Sequence, residues 1–423
     1  MAIHINRRRN RPAHDRLFAN IRIRNRVLTS MIILYLVLIG MTIRAQRSIT
    51  LSKKVTVSCH PNIETYFIAE RLAVQQIGFM VFTRQDSLYW HQPLVYAAYE
   101  KFKPFQRSPC VQRIAALITI IRDNLHDNAP VLQYLLHLER FPEKGEAVPF
   151  RDSSIFASPE HRDLLRVTKE LSDSLRSFYQ MARVGDFLHS HWQFYQGALR
   201  EVVKDMNTKA FDAMERYYGE SFADYRIYLM PTMPIPYGPD NYRAFGPTLH
   251  WPQGRISAMV MSSSVPLAPG KSPDSYTHYG FDNPTVTRFL TIHEIGHSFV
   301  NPHVEAFQTT INKDTVLFTP KLRKVMEGSY VGCWYTCVIE HLVRLGEIRT
   351  AMAMGNRAEA DRLRKMHTEE FHFVLLPLLE QKIAEYETQR EQYPDFNNFL
   401  PQLLKVFHDL TPEQVDSLLK SEK

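Results

Sequence analysis

The stretch that most restricts how this chain can fold is "NPTVTRFLTIHEIGHSFVNPH", residues 283–303. Asn283 is a good N-cap and Pro284 suits the first helical position, so a helix is predicted to start there. Phe289, Leu290, Ile292 and Phe299 require a core, yet His293, Glu294 and His297 set polar groups among them. Pro302 biases Asn301 away from the α region, which predicts a helix over 284–300.

His293 and His297 are one helical turn apart and share a face. At that spacing two imidazoles reach one Zn2+ at about 2.0–2.1 Å. Glu294 sits beside that face, in the position of a general base that takes a proton from a water molecule. The expectation is therefore an H-E-x-x-H zinc site, with His293 and His297 as metal ligands and Glu294 as the catalytic residue.

Two residues compete for the third ligand. His303 stands where H-E-x-x-H-x-x-G-x-x-H places its last histidine, but that pattern needs a glycine at its eighth position and Val300 occupies it. The alternative is Glu340 in "VGCWYTCVIEHLVRLGEIR" (331–349), which predicts a second helix. Cys333, Cys337, Glu340 and Arg344 share one face of it, with Val338, Ile339, Leu342 and Val343 beside them as signs of burial. Glu340 is favoured over His303, with Arg344 one turn on to orient the carboxylate. Cys333 and Cys337 read as small buried residues on that face, and Cys59 and Cys110 are able to form a disulfide in an oxidising compartment.

The net charge of +7 would suggest nucleic acid if it were spread over the fold, but it is not. Residues 1–45 hold nine Arg and one Asp, and the remainder has 42 Lys+Arg against 43 Asp+Glu. No basic binding surface is implied, and no nucleic-acid partner is expected. The arginines precede "VLTSMIILYLVLIGMTI" (27–43), an uncharged apolar run. Such a flank holds its own end in the cytoplasm and sends the downstream chain across the membrane. Residues 1–45 are thus an export signal cleaved after Ala45 or a retained membrane anchor, and the rest is expected in the periplasm or cell envelope.

Residues 46–141 read as an N-terminal, mainly helical region opened by a short strand in "KKVTVSC". The Pro/Gly/charged loop at 142–154 reads as the best internal boundary. Long helices follow over 159–183 and 186–205. A small sheet is expected at about 224–264, where "YRIYLMPTMPIPYG" and "GRISAMVMSSS" are rich in β-formers. The latter is a candidate edge strand for an extended peptide. Residues 265–283 read as loop, and helices resume to the end. The expected fold is α+β, predominantly α, with 155–423 as a zincin-like region. Tyr279, Tyr330, Tyr335, His367 and His372 are candidates to stabilise an oxyanion. "HSHW" (189–192) and "RLRKMHTEEF" (362–371) read as ordinary solvated or packed helix.

"HEIGHSFVNP", followed about forty residues later by "EHLVR", resembles a domain-of-unknown-function family of exported bacterial proteins. Its members carry a gluzincin-like H-E-x-x-H site and are candidate zinc metallopeptidases. The resemblance implies a gluzincin architecture, Zn2+ as cofactor, His293, His297 and Glu340 as ligands, Glu294 as acid/base and a peptide or protein as substrate. A non-catalytic zincin-fold scaffold that binds peptides or envelope proteins is the alternative, and the presence of Glu294 favours the enzyme.

Overall fold

The computed structural model describes residues 48–78, 89–125, 128–150, 156, 162–235, 242–329 and 331–419. The export segment expected at 1–45 lies outside the described residues. Ile49–Lys423 form one compact unit. Among the described residues no helix is long and apolar enough to cross a membrane.

The fold is α+β and mostly helical, with one mixed sheet. Strands β1 (Ser48–Thr50) and β2 (Val55–Ser58) come first. Among the described residues the helices that follow are α1 (Pro61–Ala73), α2 (Pro93–Phe102), α3 (Pro109–Leu125), α4 (Ala129–His137), α5 (Arg162–Met181), α6 (Val184–Ser190), α7 (Trp192–Asp205) and α8 (Lys209–Tyr218). Strands β3 (Asp224–Leu229), β4 (Ala244–Phe245), β5 (Thr248–Trp251) and β6 (Gly254–Met261) complete the sheet. Then come α9 (Pro284–Glu305), α10 (Gln308–Lys313), α11 (Pro320–Met326), α12 (Trp334–Ala353), α13 (Arg357–Lys365), α14 (Leu376–Thr388), α15 (Phe396–His408) and α16 (Pro412–Leu418).

Strand order is β1-β2-β3-β6-β4, with β5 also on β6. β2, β3 and β6 run parallel and carry fully buried residues such as Val57, Ile227 and Met259, as strands covered on both faces should. β4 and β5 run antiparallel to β6 in one continuous register, from Ala244 opposite Met261 to Trp251 opposite Gly254. The ribbon is interrupted only at Gly246–Pro247, where proline has no N–H to give the ladder. "GRISAMVMSSS" is therefore an inner strand paired on both sides. The edge beside it is 244–251, so the expectation of an edge at β6 is corrected.

The sheet also reaches outside 224–264, because β2 joins it from the N-terminal region. Helix α5 packs on α1 and α3 across the 142–154 loop, which is thus a connection inside one unit and not a boundary between two. A buried carboxylate tightens this junction. Glu70 on α1 takes both guanidinium nitrogens of Arg243 (2.8 and 3.0 Å) and is also bound by Arg122 of α3. Arg243 immediately precedes β4, so this ion cluster anchors the edge ribbon to the helical layer.

Helix α9 lies between the sheet and α12. Ser298 on α9 is held from the sheet side by the hydroxyls of Ser257 (2.8 Å) and Thr248 (2.9 Å). On the other side Gly296 permits close helix approach, since a Cβ there would lie 3.3 Å from Val343 Cγ1 of α12. The Asn283 side chain caps α9 as expected, accepting from Val286 N. The helix does not stop near Val300, however, but runs through Pro302 to Glu305. Proline removes one hydrogen bond, and the burial of Phe299, Val300 and Val304 holds the last turn in place.

Cys110 donates its thiol to Ser174 O (3.3 Å), so the Cys59–Cys110 bridge is not formed. Cys337 is buried, but Cys333 is exposed at the N-cap of α12, one residue before the helix begins to pack.

Candidate metal centre

α9 and α12 bring His293, His297 and Glu340 together, with one donor atom from each mutually within 4.8 Å. The two Nε2 atoms are 3.3 Å apart. The Glu340 carboxylate straddles them, with Oε2 3.6 Å from His293 Nε2 and Oε1 3.5 Å from His297 Nε2. Donors at 2.0–2.1 Å from a tetrahedral ion are separated from one another by about 3.3–3.4 Å. The two Nε2 atoms stand at that separation, and each meets its nearer carboxylate oxygen at only slightly more.

Hydrogen bonding fixes the imidazoles in a metal-binding form. His293 Nδ1 lies 2.8 Å from Glu347 Oε1, and His297 Nδ1 lies 3.1 Å from Asn301 Oδ1. Both partners accept, so both Nδ1 atoms carry a proton, and in the neutral rings both Nε2 atoms turn lone pairs toward one point. Two lone pairs and a carboxylate converging on one point make a cation-seeking arrangement. The residues present therefore fit a zinc ion.

Glu347, fully buried, was not singled out by its sequence context, although it lies seven residues after Glu340 on the same helix face. Burial alone would raise its carboxyl, but His367 and His293 outweigh that and hold it well below the usual carboxylate range. Glu340 behaves alike: burial pushes up, and His293, His297 and Arg344 together bring it down. Arg344 faces both carboxylates, 3.6 Å from Glu340 and 4.0 Å from Glu347, which is the orienting place expected for it.

His367, in a stretch read as solvated helix, is instead fully buried, 3.0 Å from Glu347 Oε2. It stands behind His293, away from the donor cluster, which removes it from the oxyanion candidates. Tyr279 is packed against Gly197, and Tyr330 lies outside the described residues. In the "HSHW" segment, His191 faces Asp274 at 3.4 Å.

His303 is not part of the cluster. Because α9 stays helical past Pro302, six further residues carry His303 about 120° around the axis from His297. There it pairs with Glu220 at 3.0 Å. Glu294 is buried in the middle of α9, and its backbone carbonyl meets the edge ribbon at Gly246, where a Cβ would lie 2.1 Å from that oxygen. The only other grouping of this kind among the described residues is Glu201, His278 and Asp282. Glu201 there accepts the backbone N–H groups of Tyr279 and Phe281, and Asp282 accepts from Lys204, so the group reads as a loop anchor.

The chain belongs to the family described as Domain of unknown function (DUF4932), whose model matches residues 162–406. That span is more than half of the chain and holds α9, α12 and every residue of the cluster. No curated protein and no solved structure matches the chain.

Proposed function

We propose that this chain is an exported zinc-dependent peptidase of zincin-like, gluzincin architecture. The observation that carries the reading is the convergence of His293 Nε2, His297 Nε2 and the Glu340 carboxylate, one residue from a buried Glu294. His293, His297 and Glu340 would hold the metal. Zinc, when bound, supplies Lewis-acid polarisation of a carbonyl and makes water more acidic.

The remaining work falls to the chain's own groups. Glu294 takes the proton of the attacking water and returns it to the leaving amine. Glu347 and Asn301 keep His293 and His297 in the Nδ1–H form, and Arg344 holds Glu340 against rotation. The arginine-flanked apolar run at 27–43 supports export to the periplasm or envelope.

Glu294→Gln tests the reading against the scaffold alternative. The variant should keep zinc, because Glu294 is not a ligand, and lose cleavage of a broad peptide library. A wild type that holds zinc and cleaves nothing in the library would favour the scaffold. Equal cleavage by variant and wild type would remove Glu294 from its role.

A further inference from the structure

We infer that His367, held by Arg344, is a positioning residue of the metal centre that sets the aim and tautomer of His293 through Glu347. The inference rests on the zinc reading above and concerns His367, which reaches the ligands only through Glu347 and Arg344. Its basis is a chain of hydrogen bonds whose direction is forced at every link.

Arginine only donates, so the 3.2 Å contact between Arg344 Nη1 and His367 Nδ1 makes Nδ1 the acceptor. Neutral His367 then carries its proton on Nε2 and donates it to Glu347 Oε2 at 3.0 Å. The other oxygen, Oε1, remains for the Nδ1–H of His293 at 2.8 Å. The Nε2 lone pair of His293 is left pointing at His297 and Glu340. Reversing the His367 tautomer would set its protonated Nδ1 against the Arg344 guanidinium and its bare Nε2 against the carboxylate, so no second arrangement satisfies the set.

The backbone departs from regular helix where His367 enters. Met366–Glu370 form a π turn, the kind of irregularity often found at functional sites, and His372 follows with φ +61°. This bend also lays Phe371 and Phe373 over the Arg344 guanidinium, at 5.2 and 4.2 Å from the ring centroids. One short segment therefore supplies both the histidine and the aromatic cover that hold Arg344 in place. A purely structural cluster would need only that Glu347 be satisfied, and would not require the relay to end on a ligand imidazole.

The test is zinc competition against a chromophoric chelator on the full-length chain, in wild type, His293→Ala, His367→Phe and His367→Gln. His367→Phe should weaken zinc about 10- to 100-fold, the usual effect of losing an outer partner. His367→Gln keeps an N–H for Glu347 and an acceptor for Arg344, and should recover to within about threefold of wild type. If wild type binds zinc, His293→Ala loses it and His367→Phe matches wild type, the inference fails while the zinc reading stands. If wild type binds no zinc, the zinc reading fails and takes the inference with it. A folded His367→Gln as weak as His367→Phe also overturns it. Should His367→Phe not fold, imidazole 15N NMR of the metal-free wild type decides: a neutral Nε2–H His367 is expected, and an Nδ1–H form or an imidazolium overturns the inference.

Discussion

Gly246→Ala probes the contact between the edge ribbon and the helix that carries the candidate site. A Cβ at Gly246 would lie 2.1 Å from Glu294 O, 2.9 Å from its carbonyl carbon and 3.2 Å from its Cα. These are backbone atoms in the middle of a helix, so no side chain can rotate away. Reaching ordinary contact near 3.4 Å requires roughly 1.3 Å of separation between ribbon and helix. The hydroxyls of Thr248 and Ser257 meet Ser298 at 2.9 and 2.8 Å across the same junction, and such a movement breaks or strains both bonds. Overpacking costs about 1–3 kcal/mol and each lost hydrogen bond about 1 kcal/mol, for a total of roughly 2–5 kcal/mol. Gly246 is not among the glycines with positive φ, so the penalty is steric and not conformational. Urea unfolding of wild type and variant measures it directly. Cleavage should fall more than zinc affinity, because the atoms that meet the new Cβ belong to Glu294, whereas His293 is held by Glu347 of α12 and His297 by Asn301. A variant within about 0.5 kcal/mol of wild type would show that this junction yields freely and does not fix Glu294.

Glu340→Ala should lose most zinc affinity, while His303→Ala, paired with Glu220 away from the cluster, should stay within about threefold of wild type in the same chelator competition. The opposite ranking would replace Glu340 by His303. A second expectation concerns Glu64 of α1, whose carboxyl burial raises from 4.5 to about 8 although Thr232 and Tyr195 hydrogen-bond to it. The folded chain then binds more protons than the unfolded one between those values, so this residue's stabilisation is complete below pH 4.5 and declines as pH rises to 8. The slope it contributes is at most about 1.4 kcal/mol per pH unit, and Glu64→Gln should flatten it in urea unfolding at pH 5, 6, 7 and 8. An unchanged profile in the variant would remove Glu64 as its source.

The grouping of His293, His297 and Glu340 was legible because helical periodicity is local. Four residues separate His293 from His297, and seven separate Glu340 from Glu347, so one face of each helix can be read without knowing the fold. Glu347, three residues past Arg344, lies on the face that the same periodicity marks. His367 was masked by its mixed-charge neighbours Arg362, Arg364 and Glu369, although it follows buried Ala360 and Leu363 at helical spacing. The end of α9 was misplaced because a local rule about Pro302 lost to tertiary burial of Phe299, Val300 and Val304. The inner position of β6 depended on the β4–β5 ribbon, whose Gly-Pro interruption hides a continuous strand register from its sequence.

Zinc stoichiometry measures whether His293, His297 and Glu340 form one metal site. Full-length chain, stripped with chelator and reloaded, should bind about one tightly held zinc, measured by elemental analysis after exhaustive dialysis. His293→Ala/His297→Ala should bind none above background while unfolding cooperatively. Stoichiometric zinc retained by that double variant, or none in the wild type, would contradict the account.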